Sequence, residues 1–435
     1  MKKTFAIVMT VLFAAGLSGC RGNEVNAPFV ESVPVTVYST ANTPPPVLLT
    51  TEPAAQLPEP TFESMSNNNF DLENALFEAM PHDENYMVSP VSLRMALMMA
   101  ANGAGGTTRD EILSALGIED LDKLNQIVAE FILFSNANEL VEFNIANSIW
   151  LNEDLFICDD IDFTEFFANI ITGYFDGVAY RVGADNGADI VNAWIAEQTR
   201  DRITNVVSDG TFDPVNEVLA LLVNAIYFKG DWARQFDKAA TRDDVFTDRN
   251  SDESMLPFME KTLWFDFVET EYFRMLAKPY MDNNIRMYFI LPNTDERPAF
   301  SLFLEAIESM QRKNINLRLP RFTTEFQHDN LVEILRGMGI EAAFIPFVAN
   351  FLDMFTDLPP GFTAFIGNII QKTFIEVDEE GTEAAAVTVI EMAATDSVCY
   401  EPPPLPFHLN SPFIYFIRND ATGDILFIGE FAFAG

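Results

Sequence analysis

Histidine, cysteine and positive charge are all thin in this sequence. Its three histidines, His82, His328 and His408, stand far apart and lack the spacing of a metal pair, so no metal centre is expected. The three cysteines are Cys20, Cys158 and Cys399. Cys158 and Cys399 can pair or stay as free thiols, and their separation in sequence does not choose between the two. Lysine and arginine total 26 against 65 aspartates and glutamates, a formal net charge of −39 over 435 residues. That sign argues against a nucleic-acid partner and fits a strongly solvated surface or cationic targets. Also missing are a Gly-x-Ser-x-Gly elbow, a His-Glu-x-x-His pair, a Walker loop and a dinucleotide-binding glycine fingerprint. Carboxylates are so numerous that some must be neighbours. Asp159-Asp160 and Asp378-Glu379-Glu380 are therefore read as solvated faces, not acid–base dyads. Neither catalysis nor a cofactor is expected.

Long apolar runs are absent as well. The stretch from Phe5 to Leu17 falls short of the roughly 20 residues of a bilayer-spanning helix. It follows Lys2 and Lys3 and ends in Leu17-Ser18-Gly19-Cys20, the layout of a secretory signal. Small residues just before a cysteine resemble a bacterial lipoprotein signal, in which Cys20 takes the lipid and becomes the first mature residue. Residues 1–20 are thus expected to be a leader, and the lipid the only membrane contact, at an extracytoplasmic surface. Residues 21–64 are rich in Pro, Thr, Ser and Val without helical or strand period, as in an extended tether. Residues 65–435 carry apolar runs throughout, enough for a large core, with no internal repeat or second linker.

Within that region Phe70, Leu72, Leu76, Phe77 and Met80 have helical spacing before Pro81. Ser89 and Pro90 are placed to cap and open a helix through Ala100 that is apolar all round and so buried. Gly103 to Gly106 should break it, with Thr107 or Thr108 capping the next. Asn144 to Leu151 and Leu219 to Phe228 read as strands buried on both faces, and Ala188 to Val207 as a helix between them. Further strands are expected at Arg286 to Leu291, Ile315 to Leu319, Ala364 to Val377, Phe413 to Arg418 and Ile425 to Phe433. Helices early and strands late predict an α+β fold of mixed sheets with helices packed round them.

The run Glu379 to Ile390 joins small residues to β-branched ones with no packing anchor between them. It lies between the apolar strand Lys372 to Val377 and the polar, proline-rich stretch Asp396 to Pro406, which predicts a long exposed loop tethered at both ends. Alone, Thr382 to Ala386 also reads as a helix start; Val387 to Ile390 after it favour a strand.

Five ordered motifs then resemble the serpin family across residues 65–435. Asn85 to Ser92 leading to Asn102 to Thr108 resembles its helix B and following turn, and Leu222 to Trp232 its most recognisable strand. Phe374 to Ala386 resembles strand 5 of its main sheet and the mobile hinge, and Pro412 to Ile417 with Ile425 to Gly429 its closing strands. The resemblance implies three mixed β-sheets among about eight or nine helices, an exposed reactive-centre loop at about 379–407, a monomer, and suicide inhibition of a serine protease. In that mechanism the protease cleaves the loop, is held as an acyl-enzyme, and is carried across as the loop inserts into the main sheet. The hinge then comprises Glu379, Gly381, Thr382, Ala384 and Ala386. Alternate residues Thr382, Ala384, Ala386, Thr388, Ile390 and Met392 would point inward on insertion, with Glu383 and Glu391 outward.

Family spacing from Glu379 puts the cleaved bond between Thr395 and Asp396, which suits an elastase-like or subtilisin-like protease. The stretch from Gly381 to Pro412 is longer than in familiar members, so Ala393, Ala394 and Ser397 stay as alternatives. Ser89, Ser92 and Asn224 match the polar cluster called the shutter, whose usual histidine is replaced by Gln371. Trp232, Arg321 and Glu379 match the breach, where the loop first enters, and Arg321 has the fork to bind Glu379 bidentately. A non-inhibitory surface binding module is the alternative.

Overall fold

The computed structural model describes residues 5–15, 64–66, 69–138, 140–155, 161–356, 358–359, 361–382 and 403–434. Eight α-helices occur among them: α1 (Asp71–Ala79), α2 (Pro90–Gly103), α3 (Gly106–Leu116), α4 (Leu121–Ala137), α5 (Glu165–Tyr174), α6 (Gly187–Gln198), α7 (Phe300–Ile307) and α8 (Val332–Gly337). The strands are β1 (Phe5–Ala15), β2 (Tyr86–Val88), β3 (Val141–Asn152), β4 (Val178–Val182), β5 (Val218–Asp231), β6 (Arg242–Thr247), β7 (Glu253–Glu269) and β8 (Phe273–Pro279). They continue with β9 (Ile285–Pro292), β10 (Gln311–Pro320), β11 (Phe322–His328), β12 (Ala364–Val377), β13 (Gly381–Thr382), β14 (Leu405–His408), β15 (Phe413–Asn419) and β16 (Ile425–Phe431).

Two hydrogen-bonded networks result. One is seven-stranded, in the order β11-β12-β1-β5-β3-β4, with β13 added to β5; the other is nine-stranded, β14-β10-β7-β8-β9-β15-β16-β2, with β6 on β7. Where three sheets are expected, the 17-residue β7 pairs with β6 and β10 and, at its end, with β8, joining the second and third into one network. The α+β class is as the sequence predicts.

β5 shows why the large sheet is the centre of the molecule. Leu222, Ile226 and Phe228 enter the main core, while Leu221, Val223 and Ala225 pack with Val191 and Ile195 of α6 in a second core on the opposite face. A strand buried on both sides needs an almost unbroken apolar sequence, and β5 has one.

Ser89 caps α2, its hydroxyl accepting from Ser92 N at 3.2 Å, and every residue of α2 is buried. Two boundaries differ from expectation. α3 opens at Gly106 after an extended Gly105, so Thr107 and Thr108 lie inside its first turn; Thr108 Oγ1 instead accepts from Asn350 N at 3.0 Å. α6 ends at Gln198 rather than near Val207, because Arg200, Asp201 and Asn205 adopt left-handed backbone. Ile203 still joins the α6 core.

The most consequential placement is β1. The apolar stretch Phe5–Ala15, expected as part of a leader, is a strand between β5 and β12, antiparallel to both. No helix among the described residues is long and apolar enough to cross a membrane.

Candidate functional site

Beneath the middle of the large sheet, where β1 separates β5 from β12, lies a buried polar cluster. Ser89 N donates to Gln371 Oε1 at 2.9 Å, and Gln371 Nε2 returns a bond to Ser89 O at 3.0 Å. The Ser89 hydroxyl donates to Leu426 O at 2.7 Å. Ser92 Oγ donates to Asn224 Oδ1 at 2.5 Å, and Asn224 Nδ2 to Asn147 Oδ1 at 2.8 Å. The chain ends where Asn147 Nδ2 donates to Phe175 O at 2.8 Å, while Thr373 Oγ1 donates to Met87 O at 2.7 Å. Each of these six side chains is at most 1 % exposed. An amide can donate and accept at once, so Gln371 satisfies both Ser89 groups without an ionisable ring. All four expected shutter residues are thus brought together. Asn147 and Thr373 were not anticipated; Asn147 stands opposite Asn224 across β3 and β5, and an asparagine at matching steps of two apolar strands was the available signal.

At the upper end of the sheet, Trp232 is buried, stacked on Tyr280 with centroids 4.5 Å apart, and its Nε1 donates to Asp378 O at 3.0 Å. Trp232 N donates to Glu380 O at 2.9 Å. Asp378 to Gly381 form a tight turn: Asp378 Oδ1 accepts from Glu380 N at 2.9 Å and Gly381 N at 3.3 Å, and Asp378 N donates to Gly381 O at 3.1 Å. Gly381 has φ +147°, and a Cβ there would lie 2.3 Å from Gly230 O. Only glycine meets both conditions.

Glu379 is the anchor. Arg321 Nε donates to both carboxylate oxygens at 2.9 Å and Nη2 to Oε1 at 2.6 Å, and the Thr241 hydroxyl adds a further bond. Glu379 is 1 % exposed, whereas the Arg321 side chain is 44 % exposed. The run Asp378-Glu379-Glu380 is therefore not a solvated face, and the segment expected to lack an anchor has one at its start: the clamp desolvates one of its carboxylates. Burial pushes Glu379 up, but the Arg321 and Thr241 hydrogen bonds outweigh it and hold the carboxyl below its ordinary value. Asp378 is pushed up by burial despite its two amide donors. Lys238 binds Glu380, and Gln235 Nε2 donates to Glu380 O at 3.2 Å. Thr241, Gln235 and Lys238 carry no motif that would have found them.

Gly381 pairs with Asp231 and Thr382 with Gly230, antiparallel to β5, so the chain enters the sheet just as the described residues end. Two steps farther along β5, Phe228 faces Phe5, the start of β1. Ala384, Ala386, Thr395, Asp396, the alternatives Ala393, Ala394 and Ser397, and all three cysteines, Cys20 included, lie outside the described residues.

Comparison with known proteins agrees with this geometry. Residues 65–432 match the family model described as Serpin (serine protease inhibitor). The chain is 30 % identical to Serpin-Z10 of Arabidopsis thaliana over 387 residues, covering 85 % of this chain and 97 % of that one. It is 30 % identical to human neuroserpin over 405 residues, covering 88 % and 93 %. Among solved structures, the thermophilic serpin tengpin in its native state superimposes with a TM-score of 0.73 at 26 % identity, covering 87 % of this chain and 96 % of that one.

Proposed function

The chain belongs to the serpin family, and from that premise we propose that it inhibits serine proteases as a suicide substrate, by cleavage at Thr395–Asp396, acyl-enzyme trapping and insertion of the cleaved loop between β5 and β12. The observation that carries this reading is the register at the top of β5. Continued from Gly381↔Asp231 and Thr382↔Gly230, it sets Ala384 opposite Phe228, Ala386 opposite Ile226, Thr388 opposite Asn224 and Ile390 opposite Leu222. β1 already runs along that line, in that direction, from Phe5↔Phe228 onward. Residues directly opposite share a face, and Phe228, Ile226 and Leu222 point into the main core. The inward series is thus Ala, Ala, Thr, Ile, with the smallest first and no charge. Glu383 falls opposite Lys229, away from that core. Glu391 falls opposite Leu221, on the α6 side, and is the residue whose entry costs most, since a buried carboxylate without a partner costs several kcal/mol.

The remaining parts of the proposal rest on sequence. A threonine before the cleaved bond suits an elastase-like or subtilisin-like protease with a shallow pocket. The cysteine after Leu17-Ser18-Gly19 supports a lipid anchor at Cys20 and an extracytoplasmic, membrane-tethered inhibitor with residues 21–64 as its reach. Processing at Cys20 would also remove Phe5–Ala15 and vacate the slot.

A filled slot favours the second reading, a non-inhibitory surface binding module, for as long as β1 stays in place. A chain beginning at residue 20, with Cys20→Ser, separates the two. Incubated with an elastase or subtilisin-like protease it should give a complex that resists denaturant, while Ala384→Arg in the same chain should be cleaved and release active protease. An equal yield of complex from both, or no complex from either, counts against insertion.

A further inference from the structure

Basic side chains are few in this chain, yet four of them, Arg234, Lys278, Arg286 and Arg312, line one cavity of about 400 Å³ in which Asp266 is the one lining carboxylate. That volume is of small-molecule size. Its walls come from β7, β8, β10, the start of β9 and the segment leading into it, and the residues just after β5. Trp264 is half exposed, with Phe265 buried beside it.

The four cations are not equivalent. Arg286 is met by Asp266 at 2.9 Å and Asp420 at 3.0 Å, so its charge is largely answered. Arg312 is 67 % exposed, lies 3.9 Å from Asp266 and donates one N–H to Trp264 O at 3.0 Å, which leaves further N–H groups of its fork for a ligand. Lys278 is 1 % exposed; its Nζ donates to Arg234 O at 2.8 Å and lies 4.4 Å and 4.7 Å from the ring centroids of Phe236 and Trp232. Among the described residues no carboxylate forms an ion pair with it. Burial first, and the neighbouring Lys261 second, hold its amine well below the ordinary value. A buried amine so placed is biased toward its neutral form, and an incoming anion would favour its protonation and supply the missing counter-ion.

We propose that this cavity is a binding site for a flat aromatic carboxylate, with the carboxylate held between Lys278 and Arg312 and the ring laid against Trp264. Guanidinium and ammonium donors select the oxyanion, and the indole and neighbouring apolar side chains select an aromatic body over an inorganic ion. Lys278 lies against Trp232, whose indole N–H holds Asp378 O at the base of the hinge, so an occupant acts on the same residues that fix the loop's point of entry. Binding itself does not depend on the inhibitory reading, and a failed protease assay leaves it standing.

The test is calorimetric titration of the full chain with 2-naphthoate and with its neutral analogue 2-naphthalenemethanol, on the parent, Lys278→Met and Arg312→Gln. Saturable binding of the acid, at least ~tenfold weaker binding of the alcohol, a ~tenfold loss in Lys278→Met and a several-fold loss in Arg312→Gln are expected. Arg312 is exposed enough that its substitution leaves the fold intact, so it carries the test if Lys278→Met melts early. Absence of saturation, equal binding of acid and alcohol, or parent-like affinity in Arg312→Gln overturns the proposal.

Discussion

Replacing Arg321 by Met should cost stability in a way that depends on pH, and the size follows from the clamp. Glu379 is 1 % exposed and Arg321 44 %. Stripping the partner from a fully buried pair costs about 3–5 kcal/mol, and from an exposed pair about 0–1 kcal/mol. With one member buried and the other half in water, about 2 kcal/mol at about pH 7 is the reasoned value. For a chain of this size that moves a urea midpoint down by about 0.5 M. In the parent, Glu379 sits below its ordinary value, so its stabilisation is present above that value and is lost as pH falls through the lowered one. In Arg321→Met, burial remains without the guanidinium, and the carboxyl is pushed up instead. It then takes a proton at higher pH than in the unfolded chain, and the penalty fades as the medium is acidified. The gap between parent and variant should therefore shrink to under about 1 kcal/mol near pH 4, and Glu379→Gln added to Arg321→Met should recover much of the loss at neutral pH. A gap that is the same at both pH values, or absent near pH 7, refutes the argument.

The shutter gives two further predictions. Asn224→Ala leaves the Ser92 hydroxyl and the Asn147 carboxamide short of a partner in a dry interior, so urea unfolding should show a loss of about 2–3 kcal/mol, with no such loss for an exposed asparagine. Gln371→His should introduce a pH dependence that the parent's shutter lacks: a buried imidazole between Ser89 N and Ser89 O must stay neutral to accept and donate. Its folded pKa is then depressed, so stability is full above about pH 6.5 and falls as pH drops through that value and below; a variant whose midpoint tracks the parent from pH 8 to about pH 5.5 contradicts this reading of the network.

How much of this was legible beforehand varied with the physics. β5 could be read from its apolar run, since a strand buried on both faces has no freedom to include many polar residues, and the Ser89-Pro90 start of α2 came from local cap chemistry. α4, α5 and β6 to β8 were not anticipated. β7, for example, mixes buried and exposed positions without strict alternation because it serves two parts of the nine-stranded network. The Arg321–Glu379 clamp was expected as a pairing, but the burial of Glu379 was not. Composition averages over all 65 acidic residues and cannot single out the few, Glu379 among them, that tertiary structure desolvates. The position of Phe5–Ala15 was the largest surprise, since the same apolar, β-branched stretch that suits a leader also suits the central slot of a sheet.

The central claim is that β5 and β12 part to accept the chain's own loop. It is tested most directly by the melting temperature of the chain from residue 20 onward, measured before and after a single proteolytic cut within residues 383–402. Insertion of Ala384, Ala386 and Thr388 along β5 predicts a cleaved form that melts far above the intact one. An unchanged or lower melting temperature would contradict it.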